Sequence, residues 1–552
     1  MEKSIWHDHY DWCVDTTYRY PRIPVGQLLE NARCSAPDKT AIDFYGTRYT
    51  FWELRDMTAR MTAELHRLGV KKGDRVGLHL PNSPQFLIAF FACQKLGAIV
   101  VNMNPLYTAD ELTHIIEVTG ITALFTFDLM LPTVKPLLES HPVPLVVVTR
   151  ITDFIKGAPR STSGEICQVP GWQHFSSLIE ESASRVPLID VIPDDPSVIQ
   201  FTGGTTGFPK GAVLTHGNIV AATMQASLWG LAAISSIPIP ERTTLCVLPF
   251  FHVYGMVVGM LYSIFNLNTM IVFPRFEVEE VLAFIGGYAN ISFFPAVPTM
   301  ITALINHPKA EEARLIKKLG LLQSGGAPLP MSIIETLRAE GVNYSEGWGM
   351  SETASLGVAN PIVGMKKHGS IGIPFPDTQV RLMDLEGGDN EVEPGEPGEM
   401  VIKSPLVMKG YWNDEIETRN QLKDGWLRTG DIATMDGDGY FFIVDRKKDM
   451  IIAGGYNIYP REVDEVLMKH PMIAEACAYG LPHEYRGETV KAVVVPVEGA
   501  VLSEKEISEY CKQHLAAYKV PKIIEVRETP LPKSAVGKVL RKLLLEEDMK
   551  KR

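Results

Sequence analysis

The stretch FTGGTTGFPK, Phe201 to Lys210, interleaves three threonines with three glycines, a pattern that no packed core requires. Gly203, Gly204 and Gly207 tolerate positive φ and allow successive backbone N–H groups to converge on an anion. Thr202, Thr205 and Thr206 add hydroxyls, and Lys210 adds a mobile cation. The loop reads as a phosphate cradle; a glycine-rich surface turn is the competing reading. It is not a Walker loop, because Pro209 precedes Lys210 and Gly211 follows it, where that loop has Gly before Lys and Ser or Thr after. P-loop kinases and GTPases are disfavoured accordingly. Outward from the loop, Ser197 to Phe201 reads as a buried strand and Gly211 to Thr215 as a second short strand. A helix opens near His216 to Asn218.

Upstream, helical and apolar segments alternate: Gln27 to Cys34 (helix), Thr40 to Tyr45 (strand), Thr50 to Leu68 (helix), Arg75 to Leu80 (strand). Further strands follow at Ala98 to Val101, Ala123 to Thr126 and Leu145 to Val148. Such alternation predicts a doubly wound α/β region, a parallel sheet covered by helices. Between Gly369 and Gly430 the chain turns rich in Gly, Pro and β-formers, which predicts hairpins and a small β-barrel. Beyond residue 447 the pattern is that of a compact α+β module of about 100 residues.

Composition bounds the function. A chain of 552 residues exceeds one core, 45% hydrophobic and 21% charged residues are ordinary for a globular enzyme, and a net charge of -12 argues against a nucleic-acid partner. Cys13, Cys34, Cys93, Cys167, Cys246, Cys477 and Cys511 form no CxxC pair, as expected for reduced thiols in a cytoplasmic protein. The polar, aromatic N-terminus MEKSIWHDHYDW does not read as a signal peptide. Phe86 to Val101, broken by Gln94 and Lys95, reads as a buried helix entering a strand, not a membrane span.

The run TGGTTGFPKGAVLTHGN, Thr202 to Asn218, resembles the phosphate loop of the adenylate-forming superfamily: acyl-CoA synthetases, amino-acid-adenylating domains and luciferases. It is most similar to that of the fatty acyl-CoA ligases. Gly203 stands where many relatives carry Ser, which removes one hydroxyl contact to phosphate. Further blocks follow in family order. LCVLPFFHVYGM places His252 where the resemblance implies a group beside the reacting carbonyl, with Phe251, Tyr254 and Gly255 near the acyl pocket. SGGAP, with Gly325, Gly326, Ala327 and Pro328, ends a strand where a flat ligand can lie against backbone; the resemblance makes it the wall of the adenine site and acyl tunnel. In EGWGMSET, Trp348 suits stacking on adenine and Glu352 suits Mg²⁺, with Gly349, Met350 and Ser351 between them. Trp348 and Ser351 replace the more usual Tyr and Thr and keep their chemistry.

Asp431 of WLRTGD matches the ribose-binding carboxylate, with Arg446 as its partner, and Lys448 falls on the hinge position. Gly454, Gly455 and Tyr456 match the face that lines the pantetheine path, and Lys538 matches the adenylation lysine. The resemblance therefore implies an N-terminal adenylate-forming domain over residues 1–447 and a mobile α+β domain over 448–552. It casts Thr206, His252, Glu352 and Lys538 in the chemical step. The expected reaction joins a carboxylic acid to coenzyme A, with ATP and Mg²⁺, through an acyl-AMP. A medium- or long-chain fatty acid is the favoured substrate. An aryl or alicyclic acid is the runner-up, and a ligase loading a carrier protein, a luciferase-like oxygenase or a non-catalytic nucleotide sensor are further alternatives. Peripheral membrane contact and a homodimer are compatible with this reading.

Overall fold

The computed structural model describes residues 4–167, 169–180, 182, 188–202, 209–385, 390–453, 456–483, 487–534, 537 and 539–551. The chain packs as two units, residues 1–379 with 403–425, and residues 380–402 with 426–552. The expected hinge at Lys448 concerns motion, which packing does not address.

The first unit holds two sheets. In the eight-stranded sheet, Pro196–Phe201 pairs parallel with Ile99–Asn102, which leads on through Arg75–Leu78, Ala123–Phe127 and Leu145–Thr149 to Gln173–His174. Gly211–Thr215 folds back antiparallel on Pro196–Phe201, and Gly410–Tyr411 adds antiparallel to its far edge. The helix Pro84–Leu96 is capped by the Ser83 hydroxyl, which accepts from Phe86 N–H at 3.2 Å, and ends at Gly97 with φ 68°. It is apolar nearly all round and correspondingly buried, and it runs directly into the strand at Ile99.

The nine-stranded sheet runs Ile373–Pro374, Val358–Ala359, Asn343–Trp348, Leu319–Gly325, Ile291–Ala296, Thr243–Cys246, Thr269–Val272, Thr40–Phe44, Thr47–Thr50. Local alternation assigns Thr40–Phe44 to the first sheet, and here the structure differs. That strand pairs parallel with Thr269–Val272, Ile42 opposite Met270, and the buried Asp43 accepts from Arg48 Nε at 2.9 Å and Tyr288 Oη at 2.5 Å. A partner so distant in sequence leaves no mark on local periodicity.

In the second unit, Gln379–Met383, Gly398–Lys403, Trp426–Met435 and Phe441–Arg446 form an antiparallel sheet from the Gly/Pro-rich region. The α+β module follows. Its sheet holds Ile451–Ala453, Tyr456–Ile458, Ile473–His483, Gly487–Pro496 and Ile523–Val526, and its core also takes side chains from the helices Pro460–Met468 and Glu504–His514. Among the described residues no helix is long and apolar enough to cross a membrane.

Three histidines of the first unit give it a defined acid response. Burial pushes His79, His216 and His252 down to about 4 from an ordinary 6.5. Between those values the unfolded chain binds protons that the folded chain refuses, so stability is lost as pH falls from about 6.5 to about 4. Each group contributes about 1.4 kcal/mol per pH unit across that window. The urea midpoint is expected to fall between pH 7 and pH 5, and His216→Asn to flatten that dependence; an equally steep dependence in the variant contradicts the assignment.

Candidate active site

Strand Pro196–Phe201 delivers the chain to the Gly/Thr loop, and Thr202 N–H donates to Lys210 O at 2.9 Å, so the two ends of the loop are tied together. Residues 203–208, which include Gly203, Gly204, Thr205, Thr206 and Gly207, lie outside the described residues. At the loop's exit, Gly410–Tyr411 pairs with the strand that Lys210 enters, Tyr411 opposite Ala212. Lys210 Nζ lies 2.8 Å from Glu417 Oε1 and 5.8 Å from the centre of the Tyr411 ring. The ammonium holds the Glu417 carboxyl below its ordinary range. Tyr411 Oη in turn donates to Glu352 Oε1 at 2.8 Å. A cation, a phenol and a carboxylate thus stand in a row at the mouth of the loop.

Glu352 is buried in the short 3₁₀ turn Ser351–Thr353 that follows strand Asn343–Trp348, and its carbonyl accepts from Met408 N–H at 2.8 Å. The chain folds back so tightly there that a Cβ on Gly349 would meet Ser355 O at 1.9 Å. Only glycine fits. Half-buried Trp348 closes strand Asn343–Trp348 beside strand Leu319–Gly325, with Gly325 opposite Gly347. Gly326, Ala327 and Pro328 continue outward from that strand end and are exposed. A Cβ on Gly325 would stand 3.1 Å from the ring of Tyr254, whose hydroxyl donates to Gln323 O at 2.9 Å. Within SGGAP, Gly325 is therefore backbone with the Tyr254 ring packed against it. Carboxyl ends of strands in open α/β sheets are where such folds take flat ligands.

His252 Nδ1 accepts from Tyr254 N–H at 3.2 Å, and burial holds the ring neutral, so its proton sits on Nε2. Two buried amides anchor the segment that carries it. Asn82 Nδ2 donates to Leu248 O at 2.8 Å while its Oδ1 accepts from Phe250 N–H at 2.6 Å, and Gln200 Nε2 donates to Phe251 O at 3.1 Å. Glu346 acts similarly on the SGGAP turn, its carboxylate accepting from Leu329 N–H at 2.9 Å. Sequence reading passes over Asn82, Gln200, Tyr411 and Glu417. The available signal was an amide isolated in an apolar run, which burial obliges to find partners.

In the second unit Asp431 and Arg446 face each other across Trp426–Met435 and Phe441–Arg446, and Arg446 Nε reaches Asp431 Oδ1 at 2.9 Å. The partnership expected from sequence is formed, with Asp431 buried. Lys448 sits exposed in the turn after that hairpin. Its neighbour Asp449 pairs with Arg541 Nη1 at 3.2 Å, and Arg541 Nη2 also binds Asp464 Oδ2 at 2.6 Å. Glu475 binds Lys533 and accepts from Leu531 N–H at 2.8 Å. The chain on both sides of residue 538 is thereby fixed to the module. Lys538 itself, with Gly454 and Gly455, lies outside the described residues; Tyr456 begins the strand Tyr456–Ile458.

For Mg²⁺ the donor chemistry fits: Glu352 offers a buried carboxylate that accepts from the Tyr411 phenol, whose ring faces Lys210, and Mg²⁺ takes one or two carboxylates plus phosphate oxygens.

The profile of a family described as AMP-binding enzyme matches residues 29–412, and that of the AMP-binding enzyme C-terminal domain matches residues 462–538. A long-chain-fatty-acid–CoA ligase of Bacillus subtilis is 39% identical over 543 residues, 96% of this chain and 95% of the relative. A feruloyl-CoA synthase of an Amycolatopsis species is 35% identical, covering 93% of this chain and 96% of the relative. Among solved structures, ATP-bound MatB from Rhodopseudomonas palustris superposes with a TM-score of 0.83 at 27% identity, covering 95% of this chain and 99% of that one.

Proposed function

Because the chain belongs to the AMP-binding enzyme family, we propose that it converts a long-chain fatty acid to its coenzyme A thioester, the residues described above serving the two half-reactions. It is an AMP-forming acyl-CoA synthetase that uses ATP, Mg²⁺ and coenzyme A. The observation that carries the assignment of roles is the row Lys210, Tyr411, Glu352 at the mouth of the loop.

A carboxylate resists attack by a thiol because its oxide is a poor leaving group. In the first half-reaction a carboxylate oxygen attacks the α-phosphorus of ATP, the bond to the bridging oxygen breaks, and pyrophosphate leaves. That step asks for alignment and charge neutralisation. Thr202, Thr205, Thr206 and Lys210 hold the phosphates, and Lys538 neutralises charge at the α-phosphate. Trp348, with Gly349, Met350, Ser351 and the backbone of 325–328, holds the adenine, and Asp431 accepts from the ribose hydroxyls. Mg²⁺, held by Glu352, supplies further neutralisation of the phosphates when bound. The neutral ring of His252 donates from Nε2 to the acyl carboxylate. In the second half-reaction the thiol sulfur attacks the acyl carbon, the bond to AMP oxygen breaks, and the thiol proton passes to solvent; no enzyme nucleophile is required.

AMP release measured with a panel of acids tests the substrate class. C12 to C18 fatty acids are expected to give the highest kcat/KM, and a preference for cinnamic-type acids would move the reading to the aryl ligases, which the feruloyl-CoA synthase relative favours. Glu352→Gln keeps shape but removes the carboxylate, and is expected to slow adenylation about fiftyfold. Unchanged rate and Mg²⁺ dependence would remove Glu352 from the metal site. A cytoplasmic location, peripheral contact with a membrane and a homodimer complete the proposal; vesicle flotation and sedimentation test the last two.

A further inference from the structure

Tyr411 is held through its backbone. Strand pairing fixes its backbone against Ala212, its N–H donates to Thr418 Oγ1 at 2.8 Å, and Thr418 Oγ1 donates to Asp414 O at 2.7 Å. Asp414 caps the helix Glu415–Gln421, accepting from Glu417 N–H at 3.0 Å. So placed, the side chain has one charge at each end: Glu352 Oε1 at 2.8 Å from its hydroxyl, and Lys210 Nζ at 5.8 Å from its ring centre, over its face.

We propose that Tyr411 is a positioning residue for adenylation: its hydroxyl aims the Glu352 carboxylate as a metal ligand, while its ring holds Lys210 at the base of the phosphate loop. A carboxylate that accepts a hydrogen bond on one oxygen is restricted in rotation, which is how outer partners of metal ligands raise affinity. The aromatic face attracts the Lys210 ammonium weakly, beside the ion pair that Lys210 makes with Glu417 at 2.8 Å. The inference rests on the reading of Glu352 as the metal carboxylate.

The test uses full-length protein, a non-cleavable α,β-methylene ATP and Mn²⁺, with free Mn²⁺ read by electron paramagnetic resonance. Tyr411→Phe removes the hydroxyl and keeps the ring. It is expected to weaken Mn²⁺ binding in the ternary complex about tenfold, the worth of one hydrogen bond to a charged group, while metal-free binding of the analogue stays at the parental value. Tyr411→Leu removes the ring as well and is expected to weaken metal-free analogue binding severalfold besides. Both variants should convert supplied acyl-AMP and coenzyme A at the parental rate, which shows that they are folded. Glu352→Gln serves as reference. Weakened Mn²⁺ in Glu352→Gln with parental Mn²⁺ in Tyr411→Phe overturns the role of Tyr411 alone. Parental Mn²⁺ in both overturns the metal reading of Glu352 and the inference with it. Equal damage to both half-reactions in Tyr411→Phe makes the residue merely structural and likewise overturns it.

Discussion

Replacing Lys538 with alanine is expected to abolish acid-dependent exchange of pyrophosphate into ATP, by about a thousandfold or more, while leaving thioester formation from supplied acyl-AMP near the parental rate. The asymmetry follows from when charge develops. Only the first half-reaction expels pyrophosphate from a polyanion, and on the hinge reading Lys538 faces the α-phosphate only in that half-reaction. The second half-reaction breaks a bond to a monoester phosphate that leaves readily. The module is built to hold such a residue: Glu475 fixes the chain at Leu531 and Lys533, and Arg541 binds Asp449, Asp464 and the carbonyl of Ala478 at 2.7 Å. A variant equally impaired in both half-reactions would assign Lys538 to structure or to coenzyme A binding.

Lys448→Pro is expected to do the reverse. If Lys538 serves the first half-reaction and the face bearing Gly454, Gly455 and Tyr456 serves the second, the C-terminal module must change its orientation between them, and the φ/ψ change falls on one or two residues. Lys448 is exposed, in a turn between Phe441–Arg446 and Ile451–Ala453, where such a change disturbs neither strand. Proline fixes φ near about -65° and forbids the large rotation. Pyrophosphate exchange should survive, and conversion of acyl-AMP to thioester should slow at least about a hundredfold. An unchanged second half-reaction refutes the hinge; loss of both half-reactions, with a lowered thermal midpoint, shows a folding defect.

Which parts of this were legible in the sequence follows from how local each signal is. The two strands that flank Phe201 to Lys210 could be read because burial and the glycine-rich break between them are written within a few residues of one another. The helix Pro84–Leu96 was legible as an apolar run leading into the strand at Ile99. Asp431 and Arg446 were brought together by the family resemblance, and they lie in one hairpin whose register sets them opposite. Thr40–Phe44 was misplaced because its partner at Thr269–Val272 is specified by the packing of the whole unit. Tyr411 escaped notice for a related reason: in KGYW it is one aromatic among many, and only the pairing of Gly410–Tyr411 with Gly211–Thr215 brings it between Lys210 and Glu352. Asn82 and Gln200 show the intermediate case. Their types signal buried hydrogen bonding, but which backbone they hold depends on where the segment 248–251 passes.

The most direct test of acyl adenylate chemistry follows the carboxylate oxygen. With a long-chain fatty acid labelled in both carboxylate oxygens with ¹⁸O, and with ATP, Mg²⁺ and coenzyme A, the attacking oxygen stays on the α-phosphorus when the thiol displaces AMP. Mass spectrometry of the products is expected to show one ¹⁸O in each AMP and one retained in the thioester carbonyl. Unlabelled AMP, or label appearing instead in ADP, orthophosphate or pyrophosphate, would contradict the account.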